Sequence, residues 1–164
     1  VAPPADRLYS AARALLDTVV AYYDDQGVPL PDRRFVSDGT PAWDCEQVCT
    51  YVERTFSGTL EDENTRPMNC LVVRSAQIVV EIARCTPVFA NEWSDAPPAA
   101  DEIDGVAQTV LGDSMLLANG IVAAHKAGDL GGCRGLALVE WESLGPQGGL
   151  VGGRQRVRWQ LTEV

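Results

Sequence analysis

The 164-residue chain has 23 acidic and 13 basic side chains, for a net charge of −10. That balance excludes a protein that grips a nucleic-acid backbone, which needs a basic surface, while permitting a channel past which DNA slides without sticking. Hydrophobic residues at 46% and charged residues at 22% are ordinary for a globular domain, and a single domain over residues 1–164 can bury a core without disulfides or metal.

Taken in order, residues 1–4 read as a short proline-containing arm. It lacks the basic start and apolar core of a signal peptide, and the apolar runs along the chain are too short to span a bilayer. A helix follows from residue 5. Leu8, Ala12, Leu15, Leu16, Val19, Tyr22 and Tyr23 fall on one stripe at helical spacing. Gly27 and Pro29 stop it, and Asp24 and Asp25 oppose the dipole of its last turn, which predicts fraying there. Residues 28–43 hold three prolines and two aspartates before Trp43 and read as a loop.

Residues 46–56 read as a first strand, with a helix the alternative at its start. The connection 57–69 contains the acidic run Glu61, Asp62 and Glu63 and reads as solvated. The next strand spans 71–84: Val72, Ala76, Ile78, Val80 and Ile82 share one parity and are predicted to face the core. Arg74 and Arg84 share that parity near the strand ends, where they are expected to leave the core. A second proline-rich loop, 86–100, leads to a helix over 101–127. Its stripe is Ile103, Val106, Ala107, Val110, Leu111, Leu117, Ile121, Val122 and His125. Asp101 and Glu102 open it, Lys126 and Gly128 close it, and Gly112 marks a candidate kink.

Residues 136–161 form the hairpin that organises the sheet. The first strand carries Glu140 and Glu142 two apart; the second alternates Arg154, Arg156 and Arg158 with Gln155, Val157 and Trp159. Period two gives one basic face and one apolar face, with Trp159 in the core. The connection 145–153, GPQGGLVGG, reads as a long glycine-rich tip. The expected fold is α+β: two helices packed on a mostly antiparallel sheet of about four strands, in the order α-β-β-α-β-β.

No chemical motif stands out. His125 is the only histidine and sits at a helix end, where the dipole suits a structural imidazole. Cys45, Cys49, Cys70, Cys85 and Cys133 form no CxxC and cannot all pair in one chain. They read as reduced, mostly buried thiols. The tip lacks the lysine and Ser/Thr of a P-loop, and Asp44 with Glu46 reads as loop surface rather than an acid–base pair. No cofactor, metal ligand or catalytic set is expected. The basic face of the last strand is the strongest positive signal. Arg154, Arg156 and Arg158, with Gly148, Gly149 and Leu150 of the tip, are candidate contacts to an acidic surface of a neighbouring copy or partner. On that reading, reversing the three arginines to glutamate disturbs assembly and leaves the monomer folded.

The segments ALLDTVVAYYDDQGVPLPDRRFV, AWDCEQVCTYVERTFSG, RSAQIVVEIARCTP and GPQGGLVGGRQRVRWQL together resemble small structural proteins of actinobacteriophages with long non-contractile tails. Within that neck-and-tail group they look most like tail terminators. The resemblance covers most of the chain and rests on a pattern of segments, with no catalytic motif to carry over. It implies a virion protein, assembled in the bacterial cytoplasm, that forms a ring, usually a hexamer, on the last ring of tail-tube protein. Such a ring stops tail polymerisation and offers the head its docking surface. Its partners are its own copies, the tail-tube protein and the stopper or connector proteins, with DNA passing through the lumen. In such a ring Glu61, Asp62 and Glu63 are candidates for an acidic, DNA-repelling lumen loop. Two other readings compete: another neck connector (a mostly helical adaptor or a small β-barrel stopper), and a small bacterial enzyme with a cysteine or carboxylate site.

Overall fold

The computed structural model describes residues 4–56, 75–86 and 97–161, with side chains from residue 7 onward in the first of these. Helix α1 (Pro4–Asp25) is followed by strands β1 (Arg34–Ser37), β2 (Gln47–Phe56) and β3 (Ser75–Cys85). Helix α2 (Ala100–Ala127) then leads to β4 (Cys133–Gln147) and β5 (Leu150–Leu161). The sheet runs β1-β2-β3-β5-β4. Its β1–β2 pair is parallel and the other three pairs are antiparallel.

This corrects the expected four-stranded sheet and its α-β-β-α-β-β order: among the described residues there are five strands, the sheet is mixed, and the order is α-β-β-β-α-β-β. The extra strand, β1, lies inside the segment 28–43 that reads as loop. Four residues between prolines and aspartates give no local pattern long enough to see. The strand exists because β2 supplies a partner, beginning with the Val48 N–H that donates to the Arg33 carbonyl at 2.9 Å, and because the segment packs on α1. Neighbours across the sheet, rather than intrinsic preference, decide such short edge strands.

Both helices lie on one face of the sheet. Ala12, Leu15, Leu16, Val19 and Tyr23 of α1 and Leu117 and Ile121 of α2 meet Ala76, Ile78, Val80 and Ile82 of β3, with Val157 and Trp159 of β5. The β3 parity set is inward as expected; Val72 and Arg74 lie outside the described residues. Both helices end in the Schellman pattern. Val28 N–H donates to Tyr23 O at 3.0 Å, and Asp129 N–H to Ala124 O at 3.0 Å. Helix α1 therefore stays intact through Asp25 instead of fraying: two caught carbonyls outweigh two solvated aspartates.

The hairpin tip is shorter than the expected 145–153. Strand pairing continues to Gln147 and resumes at Leu150, leaving a two-residue turn, Gly148 and Gly149, with φ of 57° and 82°. Only glycine takes two successive positive φ values at little cost, and such turns match the twist of the strands they join. Gly152 serves a different need. It lies in mid-strand between β3 and β4, and a Cβ there would collide with the Ile82 carbonyl oxygen, a backbone atom that cannot swing aside. Gly152→Ala is expected to cost about 1–3 kcal/mol, read as a lower urea midpoint at unchanged slope. By contrast, Gly120→Ala meets the Tyr22 Cβ and ring, side-chain atoms rather than backbone, and is expected to cost less. Equal costs at the two sites would contradict the packing described.

Candidate contact surfaces

The face of the sheet turned away from the helices combines a small buried apolar cluster, Cys49, Tyr51 and Val79 with Phe35 packed against it, with a polar layer. It bears Arg154, Arg156 and Arg158 of β5 beside Glu81 and Gln77 of β3 and Glu140 and Glu142 of β4. The arginines are already engaged inside the chain. Arg154 Nε donates to Glu142 Oε2 at 2.8 Å. Arg156 Nε donates to the Glu53 carboxylate at 3.2 Å, and its Nη1 to Glu142 Oε2 at 3.0 Å and to Glu140. Arg158 lies over the Phe56 ring, Cζ to centroid 5.8 Å, and Arg54 lies over the same ring at 4.9 Å. A register shift between Val52 and Arg54 lets Glu53 and Arg54 both reach Gln77, as bulges do. Hydrogen bonding from Arg154 holds the Glu142 carboxyl below the usual range.

Glu81 is buried deepest in this layer. It accepts from Trp43 Nε1 and, at 3.4 Å, from the Tyr51 hydroxyl. Burial pushes its carboxyl up despite these donors and the charge of Arg154, because removal from water disfavours the ionised form. The basic face read from the sequence is thus a matched layer of charge. The strand carrying it is the second from the edge, flanked on both sides by carboxylates.

The tip residues divide. Gly148 is exposed in the turn, whereas Gly149 is half-buried and its carbonyl accepts from Thr86 N–H at 2.8 Å. Leu150 is buried opposite Cys85 and so offers no surface. The acidic run Glu61, Asp62 and Glu63 lies outside the described residues, as does Cys70.

Helix α2 presents a surface that sequence reading assigned to the core. Its first turns form an apolar overhang in the sense of exposure: residues 100–109 are exposed except for half-buried Val106. Ile103, Leu111 and Met115 are 53, 60 and 62% exposed. Between this overhang and the hairpin lies an apolar groove of about 460 Å³, lined by Ile103, Val106, Leu111, Leu144, Pro146 and Val151 among others. The stripe was legible, but which of its residues the sheet covers was not. In length and composition α2 also reaches the range of a membrane-crossing helix, against the expectation that no run is long enough. Asp113, Leu117 and Ile121, buried against the body of the protein, are what core packing requires of it.

Asp113 is the residue sequence reading missed. It is 2% exposed and bidentate with Arg84, at 2.7 Å from Nε and 2.8 Å from Nη2. The Tyr23 hydroxyl donates to it at 3.0 Å, and Arg84 Nη2 also donates to the Pro29 carbonyl at 3.2 Å. Arg84 therefore stays on the core side of β3 instead of leaving it. The signal was present: Asp113 sits three residues after Val110 and four before Leu117, on the buried stripe, where a charge requires a partner.

Of the described cysteines only Cys49 is buried, while Cys133 is half-buried and Cys45 and Cys85 are exposed, so the expectation of mostly buried thiols fails here. Asp44 is bound to Arg33, and Glu46 accepts the Cys85 N–H at 2.7 Å. His125 is half-buried in the last turn of α2. Among the described residues no group of three or more His, Cys, Asp or Glu side chains is placed to hold a metal ion. No protein-family model matches the chain, and no curated protein matches it.

Proposed function

We propose that the protein is a structural component of a phage neck, a tail terminator that assembles into a ring on the head-proximal end of the tail tube. The observation that carries this reading is the apolar overhang of α2. Monomeric proteins rarely leave a contiguous apolar patch open to water, and such patches mark protein contacts. The resemblance of four sequence segments to actinobacteriophage tail terminators supplies the kind of assembly. Two long helices on a five-stranded mixed sheet also depart from a mostly helical adaptor and from a small β-barrel stopper, the alternatives within the neck.

In this reading the overhang and its groove meet a neighbouring copy or the tail tube, while the matched arginine layer keeps each protomer rigid. Substituting Leu111 and Met115 together by glutamate is expected to leave the monomer's stability within about 0.5 kcal/mol, since both side chains are exposed. The same change is expected to abolish ring formation. Negative-stain images and light scattering of the wild-type chain at rising concentration should show closed rings with a central hole, absent for the double variant. A wild-type chain that stays monomeric at high concentration, and that is missing from phage particles when tagged, defeats the proposal.

A further inference from the structure

The β2–β3 ladder is antiparallel, with Val48 opposite Ile82 and Gln47 opposite Ala83. Residues 44–46 bend at the entrance to β2, outside the paired ladder, and continuing its register across that bend brings Cys45 toward Cys85. The chain at this point does lie against the end of β3. The Cys85 N–H, left without a backbone partner on β2, is taken by Glu46 Oε1 at 2.7 Å. Arg33 Nη1 donates to Cys45 Sγ at 3.0 Å. Burial and Glu46 raise the Cys85 thiol, and the nearby Cys45 sulfur adds to the effect.

Both cysteines are exposed, and a groove of about 360 Å³ opens on Cys85 and Glu46. If the ladder closes over these two positions, their Cα atoms would lie about 4.5–5.5 Å apart, within the roughly 4.4–6.8 Å that a disulfide spans.

We propose that Cys45 and Cys85 are a cross-strand dithiol that a low-molecular-weight disulfide, such as oxidised glutathione, converts to an intramolecular bond. The Cys45 thiolate attacks one sulfur of the small disulfide, forming a mixed disulfide and releasing one small thiolate. The Cys85 thiolate then attacks the Cys45 sulfur and expels the second. Two electrons pass to the small disulfide, which leaves as two thiols, and the two protein protons go to the departing thiolates. Both sulfurs lie near a carboxylate, Asp44 at 3.6 Å from Cys45 and Glu46 beside Cys85, and only the Cys45 sulfur also accepts from a guanidinium, so Cys45 attacks first. The bond would tie the 38–46 connection, with Trp43 over Glu81, to the end of β3.

The test uses the full chain, reduced and then equilibrated with increasing ratios of oxidised to reduced glutathione. Thiols are counted with a maleimide after denaturation, and tryptic peptides are mapped by mass. Two of the five thiols should disappear together from a monomeric chain, linking peptide 35–54 to peptide 85–126. Cys45→Ser and Cys85→Ser, both at exposed positions, should each prevent the bond, while Cys49→Ser, Cys70→Ser and Cys133→Ser should each retain it. Five free thiols at every ratio, a bond to Cys70, a bond between two chains, or glutathione retained on Cys45 or Cys85 would each overturn the proposal.

Discussion

Replacing Asp113 by alanine is expected to destabilise the protein by about 3–5 kcal/mol, the range found when one partner of a buried ion pair is removed. At about 2–4 °C per kcal/mol for a domain of this size, Tm should fall by about 10 °C. Three elements lose their tie at once. Arg84 on β3 keeps only the Pro29 carbonyl, the Tyr23 hydroxyl on α1 keeps only the Asp113 carbonyl at 3.3 Å, and α2 loses its one charged anchor in the core stripe. Burial first, then the neighbouring Asp113 charge, push the Tyr23 phenol well above its usual range, so it remains a donor at any working pH. The double variant Asp113→Leu, Arg84→Met removes both charges and should recover much of the loss, since an apolar pair of similar volume avoids stranding a buried ion. Urea midpoints of the two single variants and the double variant measure the coupling. A loss below about 1 kcal/mol for Asp113→Ala would mean that the pair does not hold the helices to the sheet.

The second large effect is expected from reversing Arg154, Arg156 and Arg158 together to glutamate, which should prevent folding and yield insoluble chain. This departs from the sequence-based expectation that the monomer survives such a change. Strand β5 lies between β3 and β4, and the reversed side chains would face Glu53, Glu81, Glu140 and Glu142 where attraction now operates. Like charges directly opposite one another destabilise a sheet, and Glu81 is buried enough that water cannot screen it. The neutral triple variant, all three to glutamine, loses only the partly exposed ion pairs and should remain folded at a cost of about 1–3 kcal/mol. Far-UV circular dichroism and the soluble fraction distinguish the two. A folded triple-glutamate chain with an unchanged midpoint would show that the arginines are available to a neighbour after all.

Much of this architecture is written locally. The stripe from Leu8 to Tyr23 and the alternation from Ala76 to Ile82 each place one set of side chains on one face, because α-helices and strands impose periods of 3.6 and 2 on any chain that adopts them. Gly128 after Lys126, and the Gly148–Gly149 pair between two strand patterns, mark ends and turns for equally local reasons of backbone geometry. None of these positions needs knowledge of what lies across from it.

The rest depended on what came to lie opposite. The strand status of Arg34–Ser37 required β2, and the fate of Arg84 required Asp113, 29 residues away in sequence. The apparent basic face became neutral only when Glu53, Glu140 and Glu142 were brought against it, and Glu46 reached the Cys85 N–H only because the start of β2 lies against the end of β3. The apolar stripe of α2 split, with Val110, Leu117 and Ile121 buried and Ile103, Ala107 and Leu111 left exposed. Charge matching, burial and exposure are properties of pairs of surfaces, and a linear order of residues specifies one member of each pair at a time. That is why the chain alone announced its helices and most of its strands, while its contact surfaces emerged only from the tertiary structure.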